Sequence, residues 1–224
     1  FVPELRAESR QEVVIPEVDG YTVMKGDFHL HTVFSDGDVW PTYRVQEAWR
    51  DGLDVISITD HIEYLPFKKY VKGDFNTSYE IAKSSADNYG IMLVRGTEIT
   101  RKQGVIGHFN ALFIQDANQI PDDDPFVAVE NAKKQGAFVL FNHPGWAVDT
   151  CMITEFQQRL FDADLIDGIE VAEKVRALRK AGVDTSEVEA ALDKIRATNL
   201  NDSQQPWQQI VAEAREALNI VSRK

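Results

Sequence analysis

Apolar residues along this chain gather in short continuous runs rather than alternating with polar ones. Six strand-like runs, Tyr21 to His31, Asp54 to Thr59, Ile91 to Thr97, His108 to Ile114, Ala137 to Asn142 and Leu165 to Val171, are rich in Val, Ile, Leu and Phe. Unbroken apolar strands suit a parallel sheet covered on both faces better than a half-wet antiparallel one. Helical stretches lie between them. Pro41 to Asp51 sets Val45, Ala48 and Trp49 on one face and stops at Gly52, Ser78 to Tyr89 stops at Gly90, and Pro125 to Gln135 stops at Gly136. Glycine just past the last periodic residue is a common way to end a helix. The repeated unit is therefore βα, and the expected class is α/β, with a parallel sheet either open or closed into a barrel. Both arrangements put active sites at the carboxyl ends of the strands.

The two ends of the chain read differently. Residues 1–20 carry no clear period and form a polar, charged lead-in; 21–171 hold the α/β pattern; 172–224 read as helix throughout, over 172–181, 186–198 and 208–222, with breaks at Gly182 and Asn201 to Pro206. A helical C-terminal tail or subdomain is expected there. No apolar run approaches the roughly 20 residues that span a bilayer, so a soluble chain without a membrane partner is expected. The first residue is Phe1 rather than Met. An exported, periplasmic protein after removal of a leader would begin this way, and so would a trimmed chain.

Composition narrows the chemistry. The 224 residues carry a formal charge of -12 with no basic stripe, which argues against gripping a nucleic-acid backbone through counterion release. A phosphate-bearing substrate would need cations supplied locally. Cys151 is the single cysteine, so metal chemistry must use imidazole and carboxylate instead of a cysteine module.

All five histidines, His29, His31, His61, His108 and His143, fall at or beside strand ends, and none lies in a predicted helix. His29 and His31 are two apart, so on a strand both imidazoles point to one face. Asp36 lies in Ser35-Asp36-Gly37, whose bland reading is an Asx turn. Asp60 and His61 close an apolar run, as does Glu98, and the bland reading there is a capped turn beside a surface histidine. His108 opens a strand instead of closing one, where it could simply bond a neighbouring edge. His143 precedes Pro144-Gly145, a turn that explains polar residues by itself. Together these are seven ligand-type side chains at the mouth of one sheet. Imidazole with carboxylate suits zinc, manganese or iron. Such an ion lowers the pKa of bound water from about 15.7 toward 7, and a pair of ions can clamp both oxygens of a phosphoryl transfer.

The motifs Asp27-Phe28-His29-Leu30-His31-Thr32, Phe34-Ser35-Asp36-Gly37, Ile58-Thr59-Asp60-His61, Gly96-Thr97-Glu98-Ile99, Gly107-His108-Phe109-Asn110 and Asn142-His143-Pro144, in that order, resemble those of the PHP (polymerase and histidinol phosphatase) family over residues 22–171. The resemblance implies a distorted (β/α)7 TIM-like barrel holding two or three divalent metal ions. It implies that His29 and His31 bind one ion, that Glu98 bridges it to a second, that His108 and His143 serve the second ion or a neighbouring position, and that Asp36 and His61 bind the third. It implies a phosphoesterase using metal-bound hydroxide on a phosphomonoester or phosphodiester, with a small phosphorylated substrate as partner. The family's last motif, Asp-x-His, has no counterpart, since no histidine follows His143. The barrel is then incomplete, or the site is finished by another residue such as Glu170.

Arg101 and Lys102 follow the Glu98 strand and are candidates to meet phosphate oxygens, though an exposed loop pair is the plainer reading. Tyr64 and Trp146 are candidate pocket walls, and Lys68-Lys69 reads as a solvated face. Two other readings compete: an amidohydrolase-type metal hydrolase, whose usual carboxylated lysine has no evident counterpart here, and a degenerate PHP-like protein that binds metal without turnover. An acidic chain without a polymerase region argues against a polymerase-associated exonuclease. Oligomeric state is not legible.

Overall fold

A computed structural model describes residues 9–18, 20–102, 105–143 and 154–170. Trp146 and the helices expected over 172–224 lie outside the described residues. In chain order the elements are β1 (Gly26–Leu30), α1 (Pro41–Arg50), β2 (Val55–Ile58), α2 (Thr77–Tyr89), β3 (Met92–Thr100), β4 (His108–Leu112), a 3-10 turn (Ala117–Gln119), α3 (Pro125–Lys134), β5 (Phe138–Phe141), α4 (Glu155–Asp162) and β6 (Gly168–Ile169). The chain forms two compact units, residues 1–100 with 109–139, and residues 101–108 with 140–224.

In the first unit β1, β2 and β3 pair in parallel, with Gly26 opposite Val55, Ile58 opposite Leu30, and Val55 to Ile58 opposite Met92 to Arg95. Every residue of β2 is buried, as a central parallel strand requires. The sheet is covered by α1 and α2, whose Val45, Ala48, Ala82 and Ala86 pack on Ile56, Ile58 and Ile91. Full burial of a Val or Ile contributes about 1.5–3 kcal/mol, so this layer anchors the strands that carry the histidines. The three helices end where the glycines predict: Gly52, Gly90 and Gly136 all take positive φ, at 82°, 66° and 82°.

Two strand expectations need correction. The run from Tyr21 does not join the sheet until Gly26. Val18 and Tyr21 instead exchange backbone bonds across a tight turn that Gly20 permits with φ of 79°, leaving Tyr21 exposed. Nor is the sheet purely parallel. β4 lies beside β3, and Ile114 N donates to Arg95 O while Arg101 N donates to Gly107 O, so the two strands run in opposite directions. The short connection explains this, because a parallel crossover needs a dozen or more residues.

In the second unit Leu140 and Phe141 pair in parallel with Gly168 and Ile169, so that of the run predicted over Leu165 to Val171, Gly168 and Ile169 are strand, Leu165 to Asp167 and Glu170 are not, and Val171 lies outside the described residues. The chain pattern predicts nothing for α4, yet its signal was present: Thr154 and Gln157 form a capping box, the Thr-x-x-Gln spacing that satisfies two N-terminal amide donors. The same two side chains tie the helix to the loop between β3 and β4, Thr154 Oγ1 donating to Val105 O and Gln157 Nε2 to Ile106 O. Among the described residues no helix is long and apolar enough to cross a membrane.

Candidate metal centre

The first unit brings five of the predicted ligands together. His29 lies within β1, His31 one residue past its end, His61 three past β2, and Glu98 near the end of β3. The register explains their meeting: His61 and Glu98 form a parallel bridge, with Glu98 N donating to Asp60 O and Ile62 N to Glu98 O. Glu98 is fully buried. Its Oε2 lies 3.0 Å from His29 Nε2 and 3.3 Å from His31 Nε2, and its Oε1 lies 3.4 Å from His61 Nδ1. On the other side of the stacked His31 and His61 rings, 4.5 Å between centroids, Asp36 Oδ1 lies 3.3 Å from His61 Nε2 and 3.7 Å from His31 Nδ1.

The loop that carries Asp36 is built, not loose. Asp60, buried between strand and loop, accepts from Thr32 N at 2.6 Å and Ser35 Oγ at 2.8 Å on one oxygen and from Thr32 Oγ1 at 2.7 Å on the other. Gly37 folds back onto the segment just after β1 so closely that a Cβ there would lie 2.5 Å from His31 O. The same carbonyl is tied to α1, where Arg44 Nε donates to His31 O at 2.8 Å. His61 Nδ1 pairs with Thr100 Oγ1, and such a partner on one ring nitrogen orients the other. Sequence reasoning gave Asp60 only a turn-capping part. Its position between two ligand-bearing segments was the available signal, since a capping Asp beside His61 and opposite Ser35 can brace both.

The donor set fits a divalent cation. A carboxylate removed wholly from water is costly unless positive charge faces it, and here three imidazole nitrogens surround Glu98. Ligand atoms held about 2.0–2.2 Å from one tetrahedral ion stand about 3.3–3.6 Å apart, close to the separations of His29 and His31 Nε2 from Glu98 Oε2, while His61, its Nδ1 taken by Thr100, offers Nε2 beside Asp36. The ligand atoms of His31, Asp36 and His61 likewise all lie within 4.8 Å of one another.

The remaining two predicted ligands meet in the second unit. Asn142 N donates to His108 O, so the start of β4 meets the end of β5. A histidine that opens one strand and a histidine that follows another thereby come together, with ring centroids 5.1 Å apart. His143 takes a φ of 27°, a conformation that costs a non-glycine residue of order 1–3 kcal/mol. Its N donates to Glu170 Oε2 at 2.8 Å, so the acid suggested as a substitute for the last motif does lie against a predicted ligand. Arg101 and Lys102 frame the loop before β4, where Lys102 O accepts from Val105 N and Ile106 N. Tyr64 is half exposed with its ring 6.0 Å from that of His61.

No family model matches the chain. A crystal structure from Bacteroides vulgatus, of a two-domain protein containing a predicted PHP-like metal-dependent phosphoesterase, superposes with a TM-score of 0.72 at 45% identity over 78% of this chain. This chain is PHP-like. It spans 53% of the Bacteroides protein. A 77-residue stretch of the PHP-like chain is also 35% identical to an uncharacterised protein of Methanocaldococcus jannaschii, covering 34% of each. An amidohydrolase from Chromobacterium violaceum with bound sulfate and no metal is 18% identical over 65% of the chain, with a TM-score of 0.48. That likeness is too low to argue from.

Proposed function

We propose that the PHP-like chain is a metal-dependent hydrolase acting on phosphate esters, with a small phosphorylated molecule as substrate. The observation that carries the reading is Glu98, a wholly buried carboxylate ringed by His29, His31 and His61. A packing role would be met more cheaply by an apolar side chain. His29, His31, Glu98, His61 and Asp36 would hold the cations, with His108, His143 and Glu170 as a further donor set. Divalent cations, when bound, supply the charge that makes water nucleophilic at neutral pH and neutralises phosphate oxygens.

The chain's own residues do the rest. Asp60 and Gly37 fix the height of Asp36 above the strand ends, Arg44 fixes the His31 backbone, and Thr100 orients the His61 ring. Tyr64 forms part of the rim beside His61. Arg101 and Lys102 are candidates for the phosphate oxygens not taken by metal. With manganese or zinc present the protein should hydrolyse an aryl phosphate, and His31→Ala should lower the rate by at least about 100-fold, one ligand's share of a metal site. Undiminished turnover in His31→Ala would overturn the assignment, and metal binding without turnover of any ester would favour the non-catalytic reading.

A further inference from the structure

Beside His61 the first unit contains a cavity of about 170 Å³. Phe34, Leu65, Val71 and Phe75 supply apolar walls, and Asp60, His61, Asp74, Ser78, Asn118 and Lys68 supply the polar lining. Most of that polar lining is already engaged. Asp74 Oδ1 accepts from Asn76 N and Thr77 Oγ1, and its Oδ2 from Asn118 Nδ2, while Asn118 Oδ1 accepts from Phe75 N. Asp60 is taken up by Thr32 and Ser35. Lys68 is different: it is exposed, as expected of a solvated face, and among the described residues its ammonium joins no ion pair, which leaves it available at the cavity. Hydrogen bonds that tie the Asp74 segment to the 3-10 turn hold the apolar wall in place before any ligand arrives.

We infer that this cavity receives the organic part of the substrate, a single ring-sized apolar group bearing a negative charge that Lys68 meets. The inference rests on the phosphoesterase reading for the position of the phosphoryl group at the histidines. The volume admits one ring and little more, small against the 300–1,000 Å³ of ordinary ligand pockets. In the hydrolysis of such a monoester the bond between phosphorus and the ring's oxygen breaks, a water oxygen replaces it on phosphorus, and the ring's oxygen leaves with a proton. The cavity would hold that leaving alcohol.

Binding of three non-hydrolysable probes to the zinc-loaded protein, followed by ligand-observed NMR, tests this without turnover. Phenylphosphonate should bind about tenfold more tightly than methylphosphonate, the discrimination a small apolar pocket supplies. A carboxyphenylphosphonate should gain about threefold more, as a partly exposed ion pair allows. Val71→Trp, which fills the cavity, should bring the phenyl-to-methyl ratio close to one, and Lys68→Ala should remove the carboxylate's gain. Equal affinities for the three probes, no binding of any, or ratios unchanged in both variants would overturn the inference. Preserved ratios with no hydrolysis of phenyl phosphate would leave the cavity's role standing and remove the esterase reading; hydrolysis with equal affinities would do the reverse.

Discussion

The first unit contains two clusters dense in carboxylates, and they are built on opposite principles. Around Asp74 and Asp116 every acid is answered by hydrogen-bond donors. Asp116 accepts from Asn76 Nδ2, Asn118 N and Gln119 Nε2, and Asp74 accepts from Asn76 N, Thr77 and Asn118. These donors hold both carboxyl groups below the usual carboxylate range, led by the Thr77 hydroxyl for Asp74 and by the Asn76 amide for Asp116. Around Glu98 the neighbours are imidazoles, groups that both bind metal and change charge. A fully satisfied acid is a strut; a buried acid among imidazoles at ligand spacing is a receptor for cations. Asp60 stands between the two kinds, saturated by donors like a strut but placed so that it sets the position of Asp36.

The largest effect should come from the receptor. Glu98→Gln keeps the shape and removes the charge, so bound metal measured by mass spectrometry should fall to trace levels, while the stability of the metal-free protein should hold. A strut would behave in reverse: metal content unchanged and about 3–5 kcal/mol of stability lost, the usual result of stranding one partner of a buried ionic cluster. That reversal would erase the distinction between the clusters.

A smaller effect sharpens the intermediate case. Asp60→Ala should weaken metal binding about 10- to 100-fold, the range typical of residues that orient ligands without touching the ion. Gly37→Ala should act in the same direction because its methyl group would meet the His31 carbonyl. Titration with zinc, following the metal-dependent rise in melting temperature, reads both. Affinity unchanged in both variants would mean that the loop carries Asp36 passively.

Much of this was legible in the sequence, and the failures have physical causes. Helices ending at Gly52, Gly90 and Gly136 were read within a residue or so because left-handed glycines punctuate them. Most of the candidate ligands could be proposed because they sit beside an apolar run, where a polar residue needs a reason; Asp36, in a turn, was proposed only beside the His29-Leu30-His31 motif it follows. The reversal of β4 was not legible, since apolar runs look alike in either direction, and only the short 101–107 connection hinted at it. His108 seemed misplaced at a strand's start for the same reason. The bracing by Asp60, the tie of Arg44 to His31 and the cavity at Lys68 depend on residues far apart in the chain, which no local pattern records.

The smallest effect tests the strut itself. Because the Asp116 carboxyl titrates below its ordinary value of 3.8, its contribution is present above that value and is lost as pH falls through the lower folded-state value. Asp116→Asn cannot titrate; its amide oxygen can still cap Asn118 N, but its amide nitrogen cannot accept from Gln119 Nε2 as Asp116 Oδ2 does. It should cost about 1 kcal/mol at pH 7, with the difference from the parent protein narrowing below about pH 4. Denaturant unfolding at pH 7 and pH 3 measures this, and zinc affinity at pH 7 should not move. If the deficit were the same at both pH values, the donors around Asp116 would not be favouring its charged form. If zinc affinity fell with it, the two clusters would be energetically one, and the contrast between strut and receptor would fail.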